Sequence, residues 1–175
     1  MKVFFKKLVD NAVLPFYGTS EAAGLDMTAT SKSYDEFGNV VYGTGIAGKL
    51  PKGYVGLLFP RSSNAKKDLI LSNSVGVWDA DYTGEIFFKF KPSTVFCDND
   101  NCTDEQMEQG IYGVVSETYD FIGFPIDGEY GFDAYEIGDR IGQLLIIPYP
   151  KIEPEFVDEL PTTERGAKGW GSTGN

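Results

Sequence analysis

Short apolar runs rich in Val, Ile, Phe and Tyr follow one another along the chain, and glycine or proline interrupts them every few residues. Examples are Tyr54-Val55-Gly56-Leu57-Leu58-Phe59, Gly84-Glu85-Ile86-Phe87-Phe88-Lys89-Phe90 and Ile141-Gly142-Gln143-Leu144-Leu145-Ile146-Ile147. Runs of this length, bounded by turn residues, predict strands. The last is nearly continuous, which predicts burial on both faces. An antiparallel barrel or jelly roll follows. Only Thr103 to Gln109 reads as a helix, with Thr103 as N-cap, Gln106 three residues on and Gly110 as the stop. The tail from Glu164 to Asn175 has no apolar period and is expected to be a flexible arm.

Composition narrows the picture. With 175 residues, 42% hydrophobic and 14% aromatic, the chain can bury one core, so residues 1–175 are read as a single domain. No stretch reaches the roughly 20 apolar residues of a membrane helix, and Met1 to Lys7 lacks the apolar run of a signal peptide. The expectation is a cytoplasmic protein of a bacterial cell or a phage-infected host, without a membrane partner. Cys97 and Cys102 are too few for a disulfide framework, and with no histidine they complete no Cys/His zinc site.

The formal charge of −11 is concentrated: residues 92–138 hold 11 of the 26 acids and none of the 15 bases, which leaves the rest neutral. An acidic surface argues against DNA or RNA binding, because that affinity rests on basic groups neutralising phosphates. A single nucleotide held by local groups and Mg²⁺ is still allowed.

Five segments carry chemistry. Asn73 to Glu85 contains a strand, the acidic turn Asp79-Ala80-Asp81-Tyr82 and the start of a second strand. Pro60-Arg61-Ser62-Ser63 offers a guanidinium, two hydroxyls and consecutive backbone N–H groups, a donor cluster suited to phosphate oxygens. The others are Ala22-Ala23-Gly24-Leu25-Asp26, Gly138-Asp139-Arg140-Ile141-Gly142-Gln143-Leu144 and the glycine-rich stretch from Arg165 to Gly174. Each alone has a plainer reading as a turn, a surface ion pair or a linker.

In this order the five segments resemble the motifs of the trimeric all-β dUTPases. That resemblance implies a distorted jelly-roll β-barrel, a homotrimer with active sites at subunit interfaces, and Mg²⁺-dependent hydrolysis of dUTP to dUMP and pyrophosphate. Such an activity limits uracil incorporation into DNA and supplies dUMP for thymidylate synthesis. It also implies roles for particular residues. Asp79 would be the base that orients and deprotonates the attacking water, work an ionised carboxylate can do. Asp26 would meet the metal through water. Arg61, Ser62, Ser63 and Gln143 would hold phosphates, and Tyr82 would lie under the deoxyribose and exclude a 2′-hydroxyl. The uracil edge would meet the main chain around Asn73, Val77, Trp78 and Phe87. From the tail, Arg165 would reach the γ-phosphate, Trp170 would stack on the base, and Gly171, Ser172 and Thr173 would close over the phosphates. Asp139 and Arg140 are read in a structural ion-pair role.

The chain departs from compact members of that family between about residues 92 and 137, where it carries an inserted acidic, aromatic segment, with an arm from about 161 to 175. Eight aromatics within residues 92–138 are too many to leave in water. Phage-encoded members often carry extra segments, so the insertion points to a phage or prophage origin. An elaborated hairpin and a contact for a regulatory protein are both open readings. A dCTP deaminase of the same fold is the rival activity; its turn usually reads Asp-Pro-Gly-Trp where this chain has Asp79-Ala80-Asp81-Tyr82.

Overall fold

The structure is a computed structural model that describes residues 1–92 and 134–168. The helix expected over 103–109, both cysteines, most of the insertion and Trp170 to Thr173 lie outside the described residues. In chain order the strands are β1 (Phe4–Lys7), β2 (Phe16–Tyr17), β3 (Leu25–Thr28), β4 (Ser31–Tyr34), β5 (Val40–Lys49), β6 (Tyr54–Phe59), β7 (Leu69–Leu71), β8 (Gly76–Trp78), β9 (Glu85–Pro92) and β10 (Arg140–Pro148). A 3-10 turn, Ser62–Lys66, follows β6.

All strand pairs are antiparallel and form two sheets, one ordered β1-β5-β9-β7 with β4 also on β5, the other β2-β3-β10-β6-β8. This is the expected all-β jelly-roll barrel. Along β9 the side chains alternate, with Ile86, Phe88 and Phe90 buried and Phe87 and Lys89 exposed, the period-2 signature of a strand with one face on a core. The inner faces meet over Met27, Val40, Tyr42, Leu58, Trp78, Phe88, Ile141 and Leu144. Gly142 is a requirement of that packing, because a Cβ there would run into the Phe88 ring.

Among the described residues β10 is not buried on both faces. Ile141 and Leu144 are buried, but Leu145 is half-buried and Ile147 is 41% exposed. The register explains why: Leu145 pairs with Leu57, Ile147 with Val55 and Leu57 with Val77, a row on the outer face of the second sheet, opposite the core.

A tight turn joins β4 to β5. Asp35 accepts hydrogen bonds from the N–H groups of Phe37 and Asn39 and from the Asn39 amide, all at 3.0 Å, and pairs with Lys89 at 3.1 Å. Burial pulls its pKa up, yet these donors outweigh burial and hold it at about 2. Ser72 donates to Asn39 at 2.6 Å and so ties the turn to the segment before β8.

Candidate active site

Two clefts collect most of the described residues singled out from the sequence, while Ser63, Asp79 and Arg165 line neither. The first lies on the outer face of the second sheet, where Asp26, Gln143 and Phe59 share one cross-strand row on β3, β10 and β6. Beyond Phe59 the chain leaves the sheet through Pro60 and Arg61 into the 3-10 turn. Arg61 Nε donates to Asp26 Oδ1 at 2.9 Å and Arg140 Nη1 to Oδ2 at 3.0 Å, so one buried carboxylate bridges two guanidiniums. Gln143 Nε2 donates to the Pro60 carbonyl at 3.1 Å. Gly24 leaves room for that amide, since a Cβ there would fall 2.8 Å from Gln143 Oε1. The cleft, of about 700 Å³, is lined by Asp26, Arg61, Ser62, Arg140 and Gln143 among others. Two cations share a single anion, and the surplus positive charge suits an anionic phosphate chain.

This arrangement revises part of the sequence reading. Arg140 pairs with Asp26 and not with its neighbour Asp139, whose Oδ2 accepts the Glu136 N–H at 2.8 Å and shapes the turn into β10. Asp139 belongs to the turn before β10, whereas Arg140 begins the strand opposite Thr28, two residues from Asp26 on β3. Ser63 does not line the cleft. Its hydroxyl approaches the Tyr135 phenol, where burial raises the pKa and Ser63, Lys67 and Arg61 oppose that rise.

The second cleft, of about 380 Å³, opens beside β7, β8 and β9 and is lined by Asn73, Val77, Trp78, Tyr82 and Phe87, the five residues expected around the base and sugar. Its hairpin is held by three internal hydrogen bonds: Tyr82 N–H to the Asp79 carbonyl at 3.1 Å, Trp78 Nε1 to the Tyr82 carbonyl at 3.0 Å, and Tyr82 Oη to the Glu85 carbonyl at 2.9 Å. The Tyr82 ring lies over Gly84, where a Cβ would fall 2.5 Å from Oη, so the turn needs glycine there. Trp78 is buried against Gly48 and Gly56, which leaves mainly its backbone to the cleft. Asp79 stands exposed at the start of the turn. Ser72, Glu85 and Lys89 line the same cleft and were missed. For Lys89, the alternation along β9 carried the signal, since it shares the face of Phe87.

The clefts have no lining residue in common. Trp78 pairs with Gly56, which puts Asp79 level with Val55. Arg61 lies six positions further along β6 and its continuation, about 20 Å at strand spacing. Arg165 joins neither cleft; it is exposed, with Nε on the Lys168 carbonyl at 3.1 Å. The segment 149–168 is exposed throughout.

A cleft that holds two guanidiniums on one side of a β-barrel and a second cleft beside an acidic hairpin are features that a nucleotide-binding protein of the jelly-roll class would need. The family model described as dUTPase matches residues 10–96. The deoxyuridine 5′-triphosphate nucleotidohydrolase of Hydrogenobaculum sp. is 35% identical over 99% of both chains. Among solved structures, the dUTPase of Staphylococcus bacteriophage 80alpha with dUPNHPP superposes with a TM-score of 0.68 at 28% identity over 99% of both chains. A mutant dUTPase from phage phi11 of S. aureus, whose structure concerns the coordination of a structural Mg(II) ion, superposes with a TM-score of 0.64 at 25% identity, covering 91% of this chain and 98% of that one. The chain belongs to the dUTPase family. Its activity is hydrolysis of dUTP to dUMP and pyrophosphate, and the deaminase alternative is not favoured. No helix among the described residues is long and apolar enough to cross a membrane.

Proposed function

We propose that this dUTPase works as a homotrimer in which Asp79 and Tyr82 of one subunit, the Asp26-Arg61-Ser62-Gln143 cleft of a second and the C-terminal arm of a third make one active site. The observation that carries this reading is that the hairpin cleft and the Arg61 cleft are separate within a subunit, with Asp79 about 20 Å from Arg61 at strand spacing. A nucleotide whose α-phosphorus sits at Asp79 cannot lay its phosphates on Arg61 of the same chain. The bare outer row Val55, Leu57, Val77, Leu145 and Ile147 is apolar surface that a neighbour would cover. The exposed arm, with Phe156 and Leu160 in water, needs a surface outside its own barrel.

In this reading Asp79 accepts the proton of the water that attacks the α-phosphorus. Its exposure gives that water access, and the pinned hairpin fixes its direction. Arg61, Ser62 and Gln143 orient the phosphates; Tyr82 presses on the sugar. Among the described residues no group of three or more acids or cysteines could hold a cation by itself. Mg²⁺ fits as an ion brought by the triphosphate: Asp26, which lines the phosphate cleft, would meet it through water, and it would supply screening of the phosphate charge.

Co-refolding two inactive variants tests the shared site. Asp79→Asn and the double variant Ser62→Ala/Gln143→Ala should each be inactive as homotrimers. An equimolar refolded mixture should recover about a quarter of wild-type activity, because about one site in three of each mixed trimer joins both intact halves and the homotrimers contribute none. No recovery from verified mixed trimers would place the site within one subunit.

The insertion is proposed to be an appendage to the catalytic barrel. Phe90, near the end of β9, and Tyr135, just before β10, pack at 5.7 Å, so the barrel ends that flank it already meet. Replacing residues 96–133 by a short Gly-containing turn should leave a trimer by light scattering with dUTP turnover within about threefold of wild type. A folded monomer, or a trimer without activity, would overturn this. A regulatory contact is a second reading, favoured by the 80alpha enzyme, said to control transfer of virulence genes by a G protein-like mechanism. Under that reading the same deletion would abolish partner capture and spare hydrolysis.

A further inference from the structure

Behind the phosphate cleft, and outside its lining, lies a buried polar cluster that the reaction as described does not use. Its centre is Tyr135, 3% exposed, in the segment that leads into β10. Tyr135 Oη donates to Asn64 Oδ1 at 3.1 Å. Asn64 in turn closes the 3-10 turn in three ways: its N–H donates to the Arg61 carbonyl at 2.9 Å, its carbonyl accepts the Lys67 N–H at 2.9 Å, and its Nδ2 donates to the Leu69 carbonyl at 2.7 Å.

The tyrosine is itself immobilised. Its N–H donates to Tyr42 Oη at 3.1 Å and its carbonyl accepts from the same hydroxyl at 2.9 Å, while Tyr42 is fully buried. Its ring meets Tyr42 edge-on at 6.0 Å and Phe90 at 5.7 Å, and the Lys67 ammonium lies 5.5 Å above it while donating to the Ala134 carbonyl at 3.0 Å. A phenylalanine would satisfy every one of these ring contacts. The hydroxyl is what hydrogen-bonds to Asn64 in the turn.

We propose that Tyr135 is a positioning residue for phosphate recognition: its hydroxyl orients Asn64, and Asn64 holds the Arg61-Ser62 segment in the conformation that meets the phosphate chain. This rests on the phosphate-cleft reading above. The chain of contacts runs from the barrel core through Tyr42, Tyr135 and Asn64 to the start of the turn, so the donors are set before nucleotide arrives and no binding energy goes into ordering them. Without the hydroxyl, Asn64 Oδ1 loses its partner in a part-buried place and the turn is free to reorganise.

The test is affinity of Tyr135→Phe for two ligands, α,β-imido-dUTP with Mg²⁺ and dUMP, which lacks the phosphates that the turn would hold. The imido analogue should bind about tenfold more weakly, about 1.4 kcal/mol, and dUMP within about twofold of wild type. Asn64→Ala should show the same selective loss, and the Tyr135→Phe/Asn64→Ala double variant should be no worse than Asn64→Ala alone. Equal weakening of both ligands would reduce Tyr135 to a packing residue and overturn the proposal. Ser62→Ala, measured in parallel, separates the two readings. If Ser62→Ala weakens the imido analogue and Tyr135→Phe does not, the positioning role is wrong and the phosphate cleft stands. If neither does, the phosphate cleft is wrong and the role of Tyr135 falls with it. Should Tyr135→Phe fail to fold, the selective loss in Asn64→Ala decides, and its absence overturns the proposal.

Discussion

Asp79→Asn should bind α,β-imido-dUTP within about threefold of wild type and lose about a thousandfold in turnover, within the usual range for removal of a general base. An amide has the shape of the carboxylate but cannot take the proton of the attacking water. The substitution spares the hairpin, because the bond that shapes the turn runs from the Tyr82 N–H to the backbone carbonyl of Asp79 and not to its side chain. Trp78 Nε1 and Tyr82 Oη pin the remaining corners without the carboxylate. Single-turnover rates and analogue affinity, measured on the same preparation, separate chemistry from binding. Turnover within tenfold of wild type would remove Asp79 from the role of base, and an equal loss of affinity would make it a binding residue.

Gly142→Val should give little or no soluble protein, and Gly142→Ala should lower the melting temperature by about 5–10 °C, because overpacking of a tight core costs about 1–3 kcal/mol. The Cβ of any other residue would enter the Phe88 ring. Phe88 is itself 1% exposed and stacked on Phe90 at 6.3 Å, so it has nowhere to move. Activity should suffer along with stability, since Gly142 is followed by Gln143, whose amide reaches Pro60 at the mouth of the phosphate cleft. Adding Phe88→Leu to Gly142→Ala should recover part of the lost melting temperature, whereas Phe88→Leu alone should lower it. A Gly142→Ala protein that melts within about 2 °C of wild type would mean that the sheets are looser at this point than the contact implies.

Much of the candidate site was legible from residue order alone. The hairpin residues from Asn73 to Phe87 are close in sequence, and a strand, a tight turn and a second strand close on themselves with no distant contact. All five base and sugar residues accordingly line one cleft. Lys89 and Glu85 belong to the same hairpin and were within reach of the same reasoning. The partner of Arg140 was not. Asp26 lies 114 residues away, and nothing local distinguishes it from Asp139 next door. Tyr135 escaped notice for a related reason: it counted as one more aromatic of the acidic block, and its hydroxyl acquires a purpose only where β10 brings it against the turn after β6.

By itself, then, the sequence determined the class of fold, the family and the local shape of the hairpin, because strand runs, turn residues and short motifs act through neighbours in the chain. The tertiary structure decided the rest: which carboxylate bridges the two arginines, which face of β10 is exposed, and that the hairpin and the Arg61 turn open into two separate clefts. Those are properties of register and sheet packing, and register is set by contacts between strands far apart in sequence.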